Sequence, residues 1–344
     1  MASENVFEII PTAPERLPAV EIPWPITPKE NATLLLEKKT PVWVPNLMAE
    51  KGLVVCPHDN DRPMFFQTGK DWFGVHWTHV EQVGGQMVTP NTFIIDDMTK
   101  WEEKLIFPDL DSMDFTPGKD EAEERTNRNI INCYLMQNGA FERLLSLAPT
   151  EEVFSFLVDE EESALRYFNR MADYKIALMD KVIDEWIPFD VVINSDDWGT
   201  QISTFISPEM YAKYIFEPLK RVIDHAHSRG KFVFIHSCGK IESLMPQIIK
   251  YGAELWEGQR MNDMLALRKK YGREMAIQVG MDPDVTFRQG VSDQMIIDYV
   301  HHFIDEYALD GGLATTFMAR DAHVNELIGL ELFHYSMKHY EKYQ

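Results

Sequence analysis

The second half of the chain alternates short apolar runs with longer amphipathic stretches. Each run is four or five residues long and rich in Val, Ile, Leu and Phe, as in strands that are buried on both faces. The runs are residues 190–194, 232–236, 254–257, 275–279 and 313–317. The stretches between them repeat apolar residues at helical spacing and end at glycines. Such alternation predicts a parallel sheet with helical crossovers.

The first half is less regular. Residues 41–45 form its first clear strand pattern, and we expect three strands from this half. Helices are predicted from Gly139 onward, and the last of them runs to about Trp186, ahead of Pro188. Residues 104–124 are acidic and rich in turn formers, which predicts a surface excursion.

The preferred fold is therefore an α/β TIM-type (β/α)8 barrel with an N-terminal extension. We expect residues 1–40 to form an arm packed on the barrel, extended over 7–28, and residues 41–344 to form one barrel domain. No Gly-x-Gly-x-x-Gly motif follows a strand, so a dinucleotide-binding sheet is not supported.

Composition narrows the function classes. The 344 residues carry a formal net charge of -22, which argues against binding to nucleic acid or to anionic membranes. There is no run of 18 apolar residues and no signal-peptide pattern. Three cysteines are too few for a disulfide framework. We therefore expect a cytoplasmic protein with reduced thiols.

The most informative motif lies at the end of the run 232–236, where His236, Ser237, Cys238 and Gly239 follow in order. Side chains alternate along a strand, so His236 and Cys238 point the same way, about 7 Å apart. An imidazole and a thiolate together can hold zinc, and Glu257 on the next strand supplies a third ligand of the right type. Two other readings stay open: a small core cysteine beside a hydrogen-bonded histidine, or a nucleophilic Cys238 with His236 as its base.

Polar residues also follow the other predicted strands. The carboxyl ends of barrel strands meet at one mouth, so these residues are predicted to form one site. Each carboxylate taken alone is more typical of a helix cap or a solvated loop, but their convergence around the His-x-Cys pair favours a site. The predicted catalytic carboxylates are Asp196, Asp197, Glu257 and Asp282. The predicted substrate-binding residues are Asn194, Trp198, Gln259, Arg320 and His76, the last from an aromatic segment that is equally typical of loop packing.

Nearly the whole chain resembles the uroporphyrinogen decarboxylase-like superfamily, in particular its corrinoid-dependent methyltransferase branch. The resemblance rests on residues 71–75, 207–211, 235–239, 257–263 and 279–282, of which the His-x-Cys-Gly segment is the most specific. It implies a TIM-type barrel with zinc held by His236 and Cys238. In such enzymes zinc acts as a Lewis acid on the heteroatom that gives or takes a methyl group. The other party is the cobalt of a corrinoid carried on a separate small protein.

The chain departs from the pattern of this branch. The family usually has a second zinc cysteine after the last strand, but no cysteine follows Cys238 here. The third ligand is then Glu257, Asp321 or His323, or the zinc has been lost. The arginine-rich N-terminal signature of true uroporphyrinogen decarboxylases is also missing.

The resemblance and the residues together predict a methyltransferase that demethylates a small donor and passes the methyl group to a corrinoid protein. Abundant aromatic and methionine residues favour an aryl methyl ether as donor. A methylthiol or methylamine donor, the reverse direction and a homodimeric state stay open. The alternatives are a metal-free decarboxylase of a tetrapyrrole or another carboxylate, and a non-catalytic binding barrel.

Overall fold

The barrel predicted from the sequence is present. The computed structural model describes residues 20, 22–63, 67–82, 85–286, 290–317, 319 and 321–343. Seven parallel strands form one curled sheet in the order β1-β5-β6-β7-β8-β9-β10. Their bounds are Lys51–Val54 (β1), Ile131–Met136 (β5), Val191–Ser195 (β6), Phe232–His236 (β7), Leu255–Glu257 (β8), Ala276–Gly280 (β9) and Leu313–Thr316 (β10). The five strands predicted in the second half are confirmed within one or two residues.

The two edges of the sheet meet through one turn of chain. Asn46 forms a parallel bridge with Thr315 on β10, and the chain then turns to enter β1 on the opposite edge. The predicted strand at 41–45 is not formed; within the described chain the eighth strand position is filled by this single bridge. Buried Glu50 holds the turn, because its carboxylate accepts hydrogen bonds from the amide of Asn46 (2.9 Å) and from Trp43 Nε1 (3.2 Å).

Helices surround the sheet. The bounds are Pro28–Leu36 (α1), Trp101–Lys104 (α2), Lys119–Arg125 (α3), Ala140–Leu147 (α4), Thr150–Asp159 (α5), Glu161–Glu185 (α6), Pro208–Tyr211 (α7), Glu217–Ser228 (α8), Met245–Ile248 (α9), Met264–Tyr271 (α10), Pro283–Thr286 (α11), Asp293–Tyr307 (α12) and Ala322–Tyr340 (α13). A π-helical stretch at Ala212–Phe216 joins α7 to α8 just before Pro218. Ser207 and Ser292 cap α7 and α12, because their side chains accept amide hydrogen bonds in the first turn. None of the helices in the described ranges has the length and apolar character to cross a membrane.

The barrel interior is apolar at its N-terminal end. Phe234, Leu255 and Ala314 point inward and pack with Leu35 and Leu36 of α1. This helix was not predicted, although its start is legible in the sequence: Thr27 and Glu30 form a capping box around Pro28. Most of the arm predicted over 7–28 lies outside the described residues.

A second, antiparallel sheet lies between β1 and β5 in the chain. Its strands are Gly69–Lys70 (β2), His76–Val80 (β3) and Gly85–Val88 (β4). The segment 104–124, predicted to run over the surface, carries Phe115 into the core, where it is fully buried.

Glu50 makes closure of the barrel sensitive to pH. Burial outweighs its hydrogen bonds and raises its pKa from an ordinary 4.5 to about 8. The fold therefore favours the protonated acid, and this contribution to stability is complete below pH 4.5 and lost as the pH rises to about 8. We expect Glu50→Gln to reduce the loss of unfolding free energy between pH 5 and 8 by roughly 1–3 kcal/mol. Urea unfolding at both pH values measures this, with the exposed Glu326→Gln as control. The same change of unfolding free energy with pH in wild type and in Glu50→Gln would contradict this prediction.

Candidate metal centre

The site is built by the register of neighbouring strands. Ser195 on β6 pairs with His236 on β7, His236 pairs with Glu257 on β8, and Glu257 pairs with Gln278 on β9. These four residues form one row at the carboxyl ends of the strands. Inward-facing positions therefore change from apolar to polar along each strand, and the polar layer lies at the mouth.

Three donor groups converge just above this row. Donor atoms of Asp197, His236 and Cys238 all lie within 4.8 Å of one another. The Cys238 sulfur is 3.6 Å from His236 Nε2, and the amide of Cys238 donates to Asp197 Oδ1 at 2.7 Å. The prediction that His236 and Cys238 are neighbours is confirmed by this geometry.

Glu257 occupies a different place from the one predicted. Within the described chain the third donor beside His236 and Cys238 is Asp197, whereas Glu257 lies behind the histidine. Its Oε2 is 3.0 Å from His236 Nδ1, and its Oε1 is 2.5 Å from Lys51 Nζ. Glu257 therefore orients the imidazole instead of standing among the three clustered donors.

Lys51, Glu257 and His236 contact one another in series, and their opposite charges stabilise one another. Burial disfavours ionised Glu257, but the hydrogen bond with His236 and the charge of Lys51 outweigh it and lower its pKa to about 2. Burial likewise disfavours the charged imidazole, yet its contacts with Cys238 and Glu257 raise the pKa of His236 to about 10. In the metal-free protein His236 is thus held as a cation among anionic groups.

The loop that carries Cys238 is fixed from both sides. Gln259 donates its Nε2 to the Cys238 sulfur (3.3 Å) and accepts from the amide of Gly239 (2.8 Å). Gly239 has φ +94, and a Cβ there would lie 2.3 Å from the backbone of Gly199. Gln259, predicted to bind substrate, is placed here as a residue that positions the thiol.

The side chains of Asn194 and Asp196 lie outside the mouth. Both face the helix layer, where they line a small cavity with residues of α6 and α8. Asp196 accepts from the amides of Phe141 (3.2 Å) and Glu142 (2.7 Å) at the start of α4. Burial raises its pKa to about 7. These contacts make Asp196 a helix cap, which corrects its predicted catalytic role.

Asn194 and Trp198 are also away from the donor cluster. Asn194 lines a small cavity between β6 and helices α6 and α8, so the predicted contact of its side chain with substrate at the mouth is not supported. Trp198 is fully buried, with its ring 5.0 Å from that of Tyr211 in an edge-to-face contact. Its predicted role in substrate binding is corrected to packing.

The remaining predicted residues are dispersed. Exposed Asp282 accepts from the amide of Asp284 at the start of α11. Exposed His76 lies on β3 of the small sheet. Arg320 lies outside the described residues. Of the alternative third ligands, Asp321 caps α13 and His323 contacts Asp293 on α12.

The other two thiols are inert. Burial raises the pKa of Cys56 to about 12 and that of Cys133 still further, so both remain protonated. Cys238 is partly exposed and contacts polar groups, an environment typical of reactive cysteines.

Sequence reasoning missed Lys51 and Glu142. Lys51 lies at the start of β1, where no local pattern marks it. Glu142 forms an ion pair with Arg62 (2.7 Å), and burial together with the negative charge of Asp197 raises its pKa. It lies in the first turn of α4, directly after β5, a strand that was not located from the sequence.

The donor set fits zinc. A thiolate, an imidazole and a carboxylate are all ligands that Zn²⁺ prefers, and three protein ligands leave a fourth position for substrate. In such sites the second ring nitrogen of a ligating histidine usually forms a hydrogen bond with a carboxylate, which fixes the orientation of the ring. Zinc would replace the Nε2 proton of His236.

Gly239 provides a test of how tightly the Cys238 loop is built. Gly239 and Gly252 both have positive φ, but a Cβ at Gly252 meets nothing within 4 Å. Both alanine variants carry backbone strain, and only Gly239→Ala adds a clash with backbone. We expect Gly239→Ala to lower the unfolding free energy by about 2 kcal/mol more than Gly252→Ala, measured by urea unfolding. Equal losses of unfolding free energy in the two variants would show that the Cys238 loop accommodates a Cβ with little loss of stability.

Comparison with known proteins identifies a family that the chain matches. The model of the uroporphyrinogen decarboxylase family matches residues 137–312, just over half of the chain. A methyltransferase from Methanosarcina mazei superposes with a TM-score of 0.57 at 10% identity, covering 92% of this chain and 99% of that one. A 3-keto-D-glucoside 4-epimerase from E. coli gives a TM-score of 0.32 at 8% identity, covering 62% and 81%.

At these identities the structural likeness bears on the fold alone. No curated protein matches the chain. The family match spans α4 to α12 and includes the His236–Cys238 motif and Glu257. The chain belongs to the uroporphyrinogen decarboxylase family.

Proposed function

We propose that this protein is a zinc-dependent methyltransferase that moves a methyl group from a small donor to the cobalt of a corrinoid protein. One observation carries the proposal: the donor atoms of Asp197, His236 and Cys238 lie within 4.8 Å of one another at the barrel mouth. Family membership and the fold shared with a methyltransferase are consistent with it.

The reaction places clear demands on the site. The bond between the methyl carbon and the heteroatom breaks, and its electron pair stays on the heteroatom. Co(I) supplies the pair for the new cobalt–carbon bond and becomes Co(III). The heteroatom leaves as an anion and takes up a proton. When bound, zinc would supply Lewis acidity that stabilises this developing charge.

The residues of the chain provide the frame for that chemistry. Asp197, His236 and Cys238 would hold the metal, and Glu257 and Gln259 fix the imidazole and the thiol through the contacts described above. A carboxylate gives the metal less electron density than a second thiolate does. A donor set with Asp197 as third ligand, and without the second cysteine that the family usually has after the last strand, therefore favours polarising an ether oxygen, which makes an aryl methyl ether the first donor to test.

The metal-free decarboxylase is the weaker alternative. Recognition of a polycarboxylate needs arginines that are free to bind it. In the described part of the chain, Arg62 is paired with Glu142, and fully buried Arg143 is paired with Asp71 (2.6 Å). Asp197, Glu142 and Glu257 bring three carboxylates to this end of the barrel against Lys51 and Arg62, which disfavours an anionic substrate.

Metal content and methyl transfer test the proposal together. We expect about one zinc per chain in the wild type by elemental mass spectrometry. His236→Gln, Cys238→Ser and Asp197→Asn should each lose most of it. Transfer from a methoxylated phenol to free cob(I)alamin, followed by the cobalt spectrum, should fall by roughly a hundredfold or more in the same variants.

The control is His302→Gln, since His302 is an exposed histidine on α12. It should keep both zinc and activity. Wild-type protein that transfers methyl groups without zinc, or variants that keep full activity, would overturn the role of the metal. Release of CO2 from a tetrapyrrole carboxylate by metal-free protein would support the decarboxylase instead.

A further inference from the structure

Among the ion pairs of the described residues, Lys51 is the one lysine or arginine that contacts Glu257, whose other partner is His236, and it comes from the far side of the barrel. In the circular strand order, β1 and β8 are separated by three strands on one side and by β9, β10 and the Asn46 bridge on the other. The Lys51 side chain therefore crosses the interior to reach its partner. Both side chains are largely buried, with 16% and 10% exposed.

The two oxygens of Glu257 have separate tasks. Oε1 contacts Lys51 Nζ at 2.5 Å, and Oε2 contacts His236 Nδ1 at 3.0 Å. With one oxygen anchored, the carboxylate has little freedom to rotate, and the histidine ring is held with Nε2 toward Cys238. Without Lys51, Glu257 would keep one partner and a buried charge.

The balance of charges at the metal centre also supports the role of Lys51 as the partner of Glu257. Asp197, Glu257 and the Cys238 thiolate contribute three negative charges beside a neutral imidazole. A divalent cation and Lys51 contribute three positive ones. The loaded centre is thus neutral only with Lys51 in place, which matters because uncompensated charge is costly in a buried site.

Resting on the proposed function, we propose that Lys51 is a positioning residue of the metal centre: it anchors Glu257, which in turn fixes His236 as a ligand. A purely structural ion pair would stabilise the fold without altering the metal. A positioning residue alters metal affinity and ligand geometry even where the fold is unchanged. Loss of such a supporting contact typically weakens metal binding about 10- to 100-fold.

The experiment compares Lys51→Met with Lys51→Arg and with Lys29→Met. Lys29 forms an ion pair with Asp190 (2.7 Å) before β6, at the opposite end of the barrel, so its variant removes the cation of a more exposed long-range pair away from the mouth. Zinc affinity is measured by competition with a chromophoric chelator, and ligand geometry by the visible spectrum of the Co²⁺-substituted protein. Urea unfolding of the metal-free proteins reports the structural contribution separately.

We expect zinc affinity to fall about 10- to 100-fold in Lys51→Met, with altered Co²⁺ bands. Lys51→Arg should stay within a few-fold of the wild type, and Lys29→Met should match it. If Lys51→Met does not fold, Lys51→Gln takes its place in the same measurements. Wild-type affinity and spectrum in a Lys51 variant that lacks the charge would overturn this inference alone. A wild-type chain that binds neither metal would overturn the proposed function and this inference with it.

Discussion

The parallel register of β6, β7 and β8 is the constraint on which the site depends. It places His236 directly beside Glu257, and their side chains meet at 3.0 Å inside the barrel. A slip of one residue would turn His236 toward the helix layer and leave the carboxylate without its partner. The apolar packing below the mouth opposes that slip, because Phe234 on the same strand would move out of the core with it. Packing at one end of the barrel thus fixes polar geometry at the other.

The same register gathers negative charge in a partly buried space, and the structure compensates each anion. Asp197 accepts from the amide of Cys238, and Glu257 is held by His236 and Lys51. In the metal-free state the protonated imidazole supplies a further positive charge. A bound divalent cation would replace that proton and leave the surrounding contacts in place. The site is therefore suited to exchanging a proton for a metal with little rearrangement.

The sequence predicts the fold of the second half well, because each of its strands is a continuous apolar run and several helices carry readable caps. It predicts His236 and Cys238 as a pair, because both lie on or next to one strand. It predicts Asp197 at the same mouth as a catalytic carboxylate, but not as the third donor beside them, since strand β6 ends at Ser195 and alternation cannot be extended into the loop. Lys51 is missed for a different reason: its contact crosses the barrel, and no local pattern encodes such a contact.

Asp196 and Asp197 show how one dipeptide links two layers of the fold. Asp196 points outward and caps α4, while Asp197 lies with Cys238 at the mouth. Gly139 brings α4 close enough for this, because a Cβ there would lie 2.1 Å from Asp196. The end of β6 is therefore held by a helix on one side and by the Cys238 loop on the other. A ligand at the mouth meets donor atoms whose conformational freedom is already lost, so the entropic cost of binding is small.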